Sequence, residues 1–399
     1  MNTIPNFPFP EPDLAPTGTK VIVDERKPRQ MFDPANGTEW WCLNKYDGVR
    51  SLAGYWNVND YLAMTSRKDN IQDGPNLQYP RELLQECYRY LRKEGIWKVL
   101  GDGLGPVIDG EMYDDRVTDD PAYFDTLSGM VRKSSDTSPG FEGIYYLIFD
   151  CYWPDDPGLV YQDRMTRLIK DLQIAIPAVT ASMRKTVGFF TKYHNKLRFC
   201  SIPTSGESYF LYNDTRLLPA YSTSPDNLDI ATASSDPFVA RDHAAINILN
   251  PDYWNILGAG TASSAFADIG ELLTYYLESA ESLGLEGIMI RSNQREYIGG
   301  RAGTNLYKLK SFEDDEFEII GYNGVMSEAG ILLNRPVWKC ITKTGQEFLA
   351  SAPGNHVSQE QQWEDRDDLV GKMLTVKYQN LSKDGVPRFP KGVAIRDYE

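Results

Sequence analysis

The chain has 399 residues, of which 41% are hydrophobic, 12% aromatic and 24% charged. This composition supports two or three folded domains and excludes a disordered polypeptide. Its 56 acidic against 41 basic residues give a net charge of −15, which repels nucleic acid at long range and restricts any such contact to a local cationic groove, because charge is screened over about 8–10 Å. Residues 301–399 hold 13 basic and 15 acidic residues, so the acidity is concentrated before them.

The first 20 residues carry Pro5, Pro8, Pro10, Pro12 and Pro16 and are expected to form an extended arm. Arg26-Lys27-Pro28-Arg29 follows as a small basic cluster, read as solvated surface or as a phosphate contact. Strands are predicted at Trp40–Leu43, Ser51–Tyr55, Leu62–Ser66, Val107–Tyr113 and Tyr145–Tyr152. Apolar residues at helical spacing predict helices over Arg81–Lys93, Arg164–Ile174 and Ile269–Leu283, the last closed by Gly284. From about 201 to 267 the chain is rich in Ser, Thr, Asn, Asp and Pro without periodicity, and it reads as an irregular insertion. After Lys310 come five short strand candidates, Glu316–Tyr322, Val337–Thr342, Gln346–Ala350, Met373–Gln379 and Val393–Arg396, with a polar helix near Gln359–Leu369. Five strands and a helix in about ninety residues suit a small Greek-key barrel of the OB type.

Cys42, Cys87, Cys151, Cys200 and Cys340 are scattered and contain no CxxC pair, which argues for free thiols in a reducing cytoplasm rather than disulfides or structural zinc. No stretch approaches 18 consecutive apolar residues, so no membrane partner is expected. His194, His243 and His356 are isolated and give no hydrolase triad. Trp40-Trp41 reads as core packing, with base stacking as its alternative.

The chemistry-bearing residues recur in order. Lys45-Tyr46-Asp47-Gly48-Val49-Arg50 follows a strand and sits on an Asp-Gly turn. Alone it reads equally as a turn with solvated charges. Val107-Ile108-Asp109-Gly110-Glu111-Met112 and Glu286-Gly287-Ile288-Met289-Ile290-Arg291 each place a carboxylate beside a strand, and Tyr307-Lys308-Leu309-Lys310 places two lysines on one side if that segment is extended. Together they suit nucleophilic attack on a nucleotide α-phosphate, which needs a nucleophile, a metal to screen the triphosphate and cations to hold its oxygens. A lysine starting from a pKa of about 10.4 is neutral near pH 7.4 only at a cost of about 4 kcal/mol. A metal ion and the ammonium groups of Lys308 and Lys310 would lower that cost. Glu111 and Glu286 are the oxygen ligands expected for Mg²⁺.

These elements resemble those of the covalent Lys–AMP nucleotidyltransferase superfamily, and most closely the phage-type ATP-dependent DNA ligases. Thr65-Ser66-Arg67 is similar to the family's Ser-Arg element, Ile148-Phe149-Asp150 to the one whose aromatic stacks on adenine, and Asp384-Gly385-Val386-Pro387-Arg388-Phe389-Pro390 to the end of the ligase OB domain. The resemblance implies an α+β fold: an ATP-grasp-like nucleotidyltransferase (adenylation) domain of antiparallel sheets and helices over 21–310, then an OB-fold β-barrel over 311–399. It implies that Lys45 takes AMP from ATP, that Arg50 and Arg67 contact ribose or phosphates, and that Phe149 stacks on the base. Glu111 and Glu286 would bind Mg²⁺, Lys308 and Lys310 would hold the α-phosphate, and Arg396 would belong to the final motif that closes over ATP. The implied partner is nicked double-stranded DNA and the implied state a monomer, of viral origin on grounds of compactness. The family's Glu two residues before the nucleophile is Leu43 here, which leaves adenine to backbone groups. An RNA ligase of the same superfamily and a non-catalytic DNA-end-binding protein are the alternatives. The first is disfavoured by Arg50 and by Arg388-Phe389-Pro390, and the second by retention of Lys45 and both carboxylates.

Overall fold

The computed structural model describes residues 40–66, 71–114, 123–132, 143–183, 193, 196–200, 209–210, 269–282, 284–292, 294–297, 299, 306–327, 329–382 and 384–396. The Pro-rich arm, the basic cluster at 26–29, Arg67, His194, His243 and nearly all of the 201–267 segment lie outside them. The chain divides into two compact units, the first reaching Leu309 and the second containing Lys310–Glu399.

In the first unit, β1 (Trp40–Lys45), β2 (Val49–Trp56) and β3 (Tyr61–Thr65) are followed by α1 (Gln78–Lys93), β4 (Val99–Leu100), β5 (Gly103–Tyr113), α2 (Tyr123–Arg132) and β6 (Tyr145–Tyr152). Then come α3 (Tyr161–Met183), β7 (Leu197–Phe199), β8 (Tyr209–Phe210), α4 (Ile269–Ser282), β9 (Gly287–Ser292) and β10 (Leu306–Leu309). Seven strands form one sheet in the order β3-β2-β5-β6-β7-β8, with β4 beside β5. Its pairings are antiparallel except β6 with β7, which run parallel. The expected antiparallel sheets are therefore mixed at this point. A parallel neighbour needs a crossover, and α3 lies in the connection between these two strands.

Helices α1 and α3 pack on each other and on this sheet. Leu83, Leu84, Cys87, Tyr88 and Leu91 recur along one face of α1 and are buried. The predicted end of the second helix at Ile174 is too early. The observed α3 runs to Met183 through Pro177, a residue that removes one backbone donor. Ala175, Ile176, Val179 and Thr180 continue the buried stripe, and burial there outweighs the missing bond. Helix α4 ends as expected, with Gly284 at φ 73° and Leu285 N–H donating to Ala280 O at 3.1 Å.

A second sheet, β1-β9-β10, is antiparallel throughout. Alternation divides its residues. Cys42, Ile288, Ile290, Tyr307 and Leu309 form a buried cluster with Leu273 and Ala280 of α4. The opposite face carries Lys45, Met289 and Lys308, because Lys45 pairs with Gly287 and Met289 with both Leu43 and Lys308.

The second unit holds β11 (Glu313–Met326), β12 (Leu332–Ile341), β13 (Glu347–Ser351), α5 (His356–Glu364), β14 (Met373–Tyr378) and β15 (Lys391–Arg396). The strands close into a barrel in the order β11-β12-β13-β15-β14. Phe317, Ile319, Trp338, Cys340, Phe348, Ala350, Leu374 and Val376 fill it, with Phe317 and Phe348 edge to face at 4.9 Å. The helix begins earlier than the polar run suggested, because Asn355 caps it by accepting from Ser358 N–H at 3.0 Å. The fold class is thus α+β: a unit of two sheets with packed helices, followed in the chain by an OB-type barrel. All five cysteines are free and buried. Among the described residues no helix is long and apolar enough to cross a membrane.

Candidate active site

The end of β1 places Lys45 at the start of a turn whose exit, β2, pairs with β5. Gly48 is required there by space. A Cβ at this position would meet Met112 O and Glu111 Cγ, both at 2.6 Å, so only glycine lets the turn lie against β5. Gly48→Ala is therefore expected to destabilise the fold by about 1–3 kcal/mol, as overpacking does. Thermal unfolding measures this, and an unchanged midpoint would mean that the turn relaxes freely. Gly110 has the same reason on the next strand, since a Cβ there would lie 2.5 Å from Leu147 O.

Glu286 stands immediately before β9, and its backbone N–H donates to Lys45 O at 2.9 Å. That bond brings the two side chains together: Lys45 Nζ pairs with Glu286 Oε2. Burial holds the Lys45 ammonium below the ordinary lysine value, while Glu111 and Asp47 oppose the shift. Burial likewise raises the Glu111 carboxyl, against the pull of Lys45 and Arg50. Desolvation thus lowers the cost of a neutral Lys45 amine, while the ion pair with Glu286 and the charges of Glu111 and Asp47 favour the ammonium.

Arg50, at the start of β2, pairs with Glu111 in register but sends its guanidinium to Asp109. Nε donates to Oδ1 at 2.9 Å and Nη2 to Oδ2. Tyr297 O–H donates to the same Asp109 Oδ2 at 2.8 Å. Phe149 lies in a break of register: Asp109 pairs with Asp150 and Gly110 with Ile148, so Phe149 is the extra residue of a β-bulge. Bulges re-aim side chains, and the Phe149 ring lies 5.3 Å from the Arg50 guanidinium and 5.9 Å from that of Arg291.

The structure thus brings Lys45 to Glu286 and Arg50 to Phe149, ties Lys45 electrostatically to Glu111, and puts Lys308 on the Lys45 face of the β1-β9-β10 sheet. Strand β10 stops at Leu309, so the alternation that would put both lysines on one side does not extend to Lys310. Lys310 belongs to the second unit, where Nζ donates to Gln379 Oε1 at 3.0 Å. Arg396 is also in that unit, half exposed, with Nε donating to Thr375 Oγ1 at 2.9 Å. Leu43 is buried and offers no polar side-chain atom.

Four residues at the site drew no role from their sequence context: Asp109, Asp150, Arg164 and Tyr297. Two of them carried a signal. Asp109 and Asp150 sit inside apolar strand runs, and acids seldom enter such runs unpaired. Among the described residues no three His, Cys, Asp or Glu side chains converge as a metal cluster.

Residues 338–396 match the family described as DNA ligase OB-like domain. No curated protein matches the chain. Among solved structures, Pmar-Lig_Pre. superposes with a TM-score of 0.55 at 15% identity, over 98% of this chain and 68% of that one. A structure from work on Lig E DNA ligases gives 0.49 at 16% identity, over 90% and 93%. The ATP-dependent DNA ligase of bacteriophage T7, in complex with ATP, gives 0.41 at 14% identity, over 97% and 98%. The barrel thus matches the DNA ligase OB-like domain family, and the fold superposes on Pmar-Lig_Pre. across nearly the whole chain.

Proposed function

We propose that this chain is an ATP-dependent DNA ligase that seals nicks in duplex DNA through a covalent lysine–AMP intermediate. The observation that carries this reading is Lys45, partly buried and ion-paired with Glu286, with Glu111 and Arg50 acting on it electrostatically and desolvation holding it below the ordinary lysine value. In this reading Lys45 Nζ sheds its proton and attacks the α-phosphorus of ATP. An N–P bond forms and the bond to pyrophosphate breaks. The adenylate then passes to the 5′-phosphate at a nick, and the 3′-hydroxyl displaces AMP to form the phosphodiester.

Arg50, locked by Asp109, is pre-oriented to hold a ribose or phosphate oxygen, so its rotamer entropy is already spent before the nucleotide arrives. Phe149 supplies the stacking face for the base. Lys308 lies on the Lys45 face and is assigned to the α-phosphate together with Lys310, while Arg396 is assigned to the leaving pyrophosphate and Arg67 to the ribose or phosphates. Glu111 and Glu286 fit Mg²⁺, since a partly buried carboxylate such as Glu111, raised by desolvation, is stabilised by an added cation. Bound there, the ion would screen the triphosphate against the approaching amine.

The substrate is tested by comparing joining rates on a nicked DNA duplex and on single-stranded RNA ends, both with ATP and Mg²⁺. Nicked DNA is expected to be joined faster. Faster joining of the RNA ends would reassign the chain to RNA ligation.

A further inference from the structure

Asp109 and Asp150 are direct cross-strand partners on β5 and β6, and they are 1% and 2% exposed. Like charges directly opposite in a sheet repel, and burying each costs several kcal/mol. Three arginines from three different elements balance them. Arg50 of β2 holds Asp109. Arg164 of α3 grips Asp150 bidentately, Nε to Oδ1 at 2.7 Å and Nη2 to Oδ2 at 3.0 Å. Arg291 of β9 adds Nη1 to Asp150 Oδ2 at 2.8 Å.

An apolar pair at this rung would stabilise the sheet at least as well, so stability does not account for the arrangement. Its position does. The rung adjoins the bulge at Phe149, and the two guanidiniums near that ring, Arg50 and Arg291, are those that the two acids hold. The Phe149 carbonyl is itself fixed by two donors, Tyr161 O–H at 3.1 Å and Arg291 Nη1 at 3.2 Å. Arg164 makes no contact with the ring. It ties Asp150 to α3, donates to Leu159 O and Arg295 O, and lies over the Tyr161 and Tyr297 rings at 5.1 and 5.7 Å. Tyr297 in turn reaches Asp109.

We propose that Arg164 is a positioning residue: acting through Asp150, it fixes Arg291 and the bulged Phe149, and so sets the affinity of the site for its nucleoside triphosphate rather than the rate of phosphoryl transfer. This rests on the reading of Lys45 as an ATP-dependent nucleophile. The guanidinium fork is the operative feature, and lysine, a point charge on a flexible stem, cannot reproduce it.

The test is single-turnover adenylation of the full chain by α-labelled ATP, with rates taken over a range of ATP concentration. Arg164→Lys is expected to raise the KM for ATP about tenfold and to leave the saturated rate within about threefold, the pattern of lost ground-state binding. Tyr161→Phe removes only one donor to the Phe149 carbonyl, and a rise of about threefold is expected. It also decides the matter if Arg164→Lys fails to fold. A wild-type KM in the folded variants, or a fall in labelled amplitude alone, overturns the proposal, because a purely structural role lowers the active fraction without moving KM. Absence of labelling in the wild-type chain would instead sink the ligase reading, so the two failures are separable.

Discussion

Replacing Lys45 with alanine is expected to abolish covalent labelling by α-labelled ATP, a loss of at least about 10⁴-fold that leaves no residual route, because the variant has no atom to form the N–P bond. A neighbouring lysine does not substitute easily. Lys308 pairs with Met289, two rungs away from the Lys45–Gly287 rung, and near-attack geometry needs reacting atoms within about 3–3.5 Å. The variant also removes the Lys45 ammonium from Glu286, whose side chain is 6% exposed, so folding must be checked separately. Nick sealing from DNA already carrying a 5′-adenylate provides that check, since it bypasses attack by lysine. The expected result is no labelling with retained sealing of the adenylated nick. Undiminished labelling of Lys45→Ala would exclude Lys45 as the nucleophile.

Asp150→Asn is the second large effect, expected to cost about 3–5 kcal/mol at neutral pH, because two buried guanidiniums lose their shared counter-charge. Arg164 is 1% exposed and Arg291 4%, so water cannot take over. Acid sensitivity provides an independent sign. Burial alone would raise the Asp150 carboxyl, but Arg164 and Arg291 hold it below its ordinary 3.8. A depressed folded value means that the carboxylate contributes full stability above 3.8, and that this is lost as pH falls through the lower folded value. The wild-type thermal midpoint is therefore expected to fall in that window by a component that Asp150→Asn lacks. Parallel curves for the two proteins would show that the carboxylate is not held by the arginines.

The division between what sequence patterns reveal and what they do not follows the range of the interactions. The strands of the barrel were legible because alternation along each, as in Glu347–Ser351 with Phe348 and Ala350 inward, is a local consequence of burying one face. The stripe of α1 and the Gly284 cap of α4 are equally local. Lengths were less legible. Pro177 looks like a stop until the buried residues beyond it are seen, and β10 ends one residue short of placing Lys310 with Lys308.

Lys45, Arg50, Glu111, Phe149, Glu286 and Lys308 were recognisable by residue type and order, but nothing local joins Lys45 to a carboxylate 241 positions later. Register between β1 and β9 does that. Only the tertiary structure set Asp109 against Asp150, inserted Phe149 as an unpaired residue between that rung and the Gly110–Ile148 rung, and drew Arg164 from a helix to balance the acids. A sequence shows that a strand contains an acid. It does not show that the strand beside it carries another at the same height, because pairing register is a property of two segments. The sequence by itself determined the turn after Lys45, the barrel and the order of the charged groups. The fold determined which charges meet, since burial makes each of those meetings obligatory.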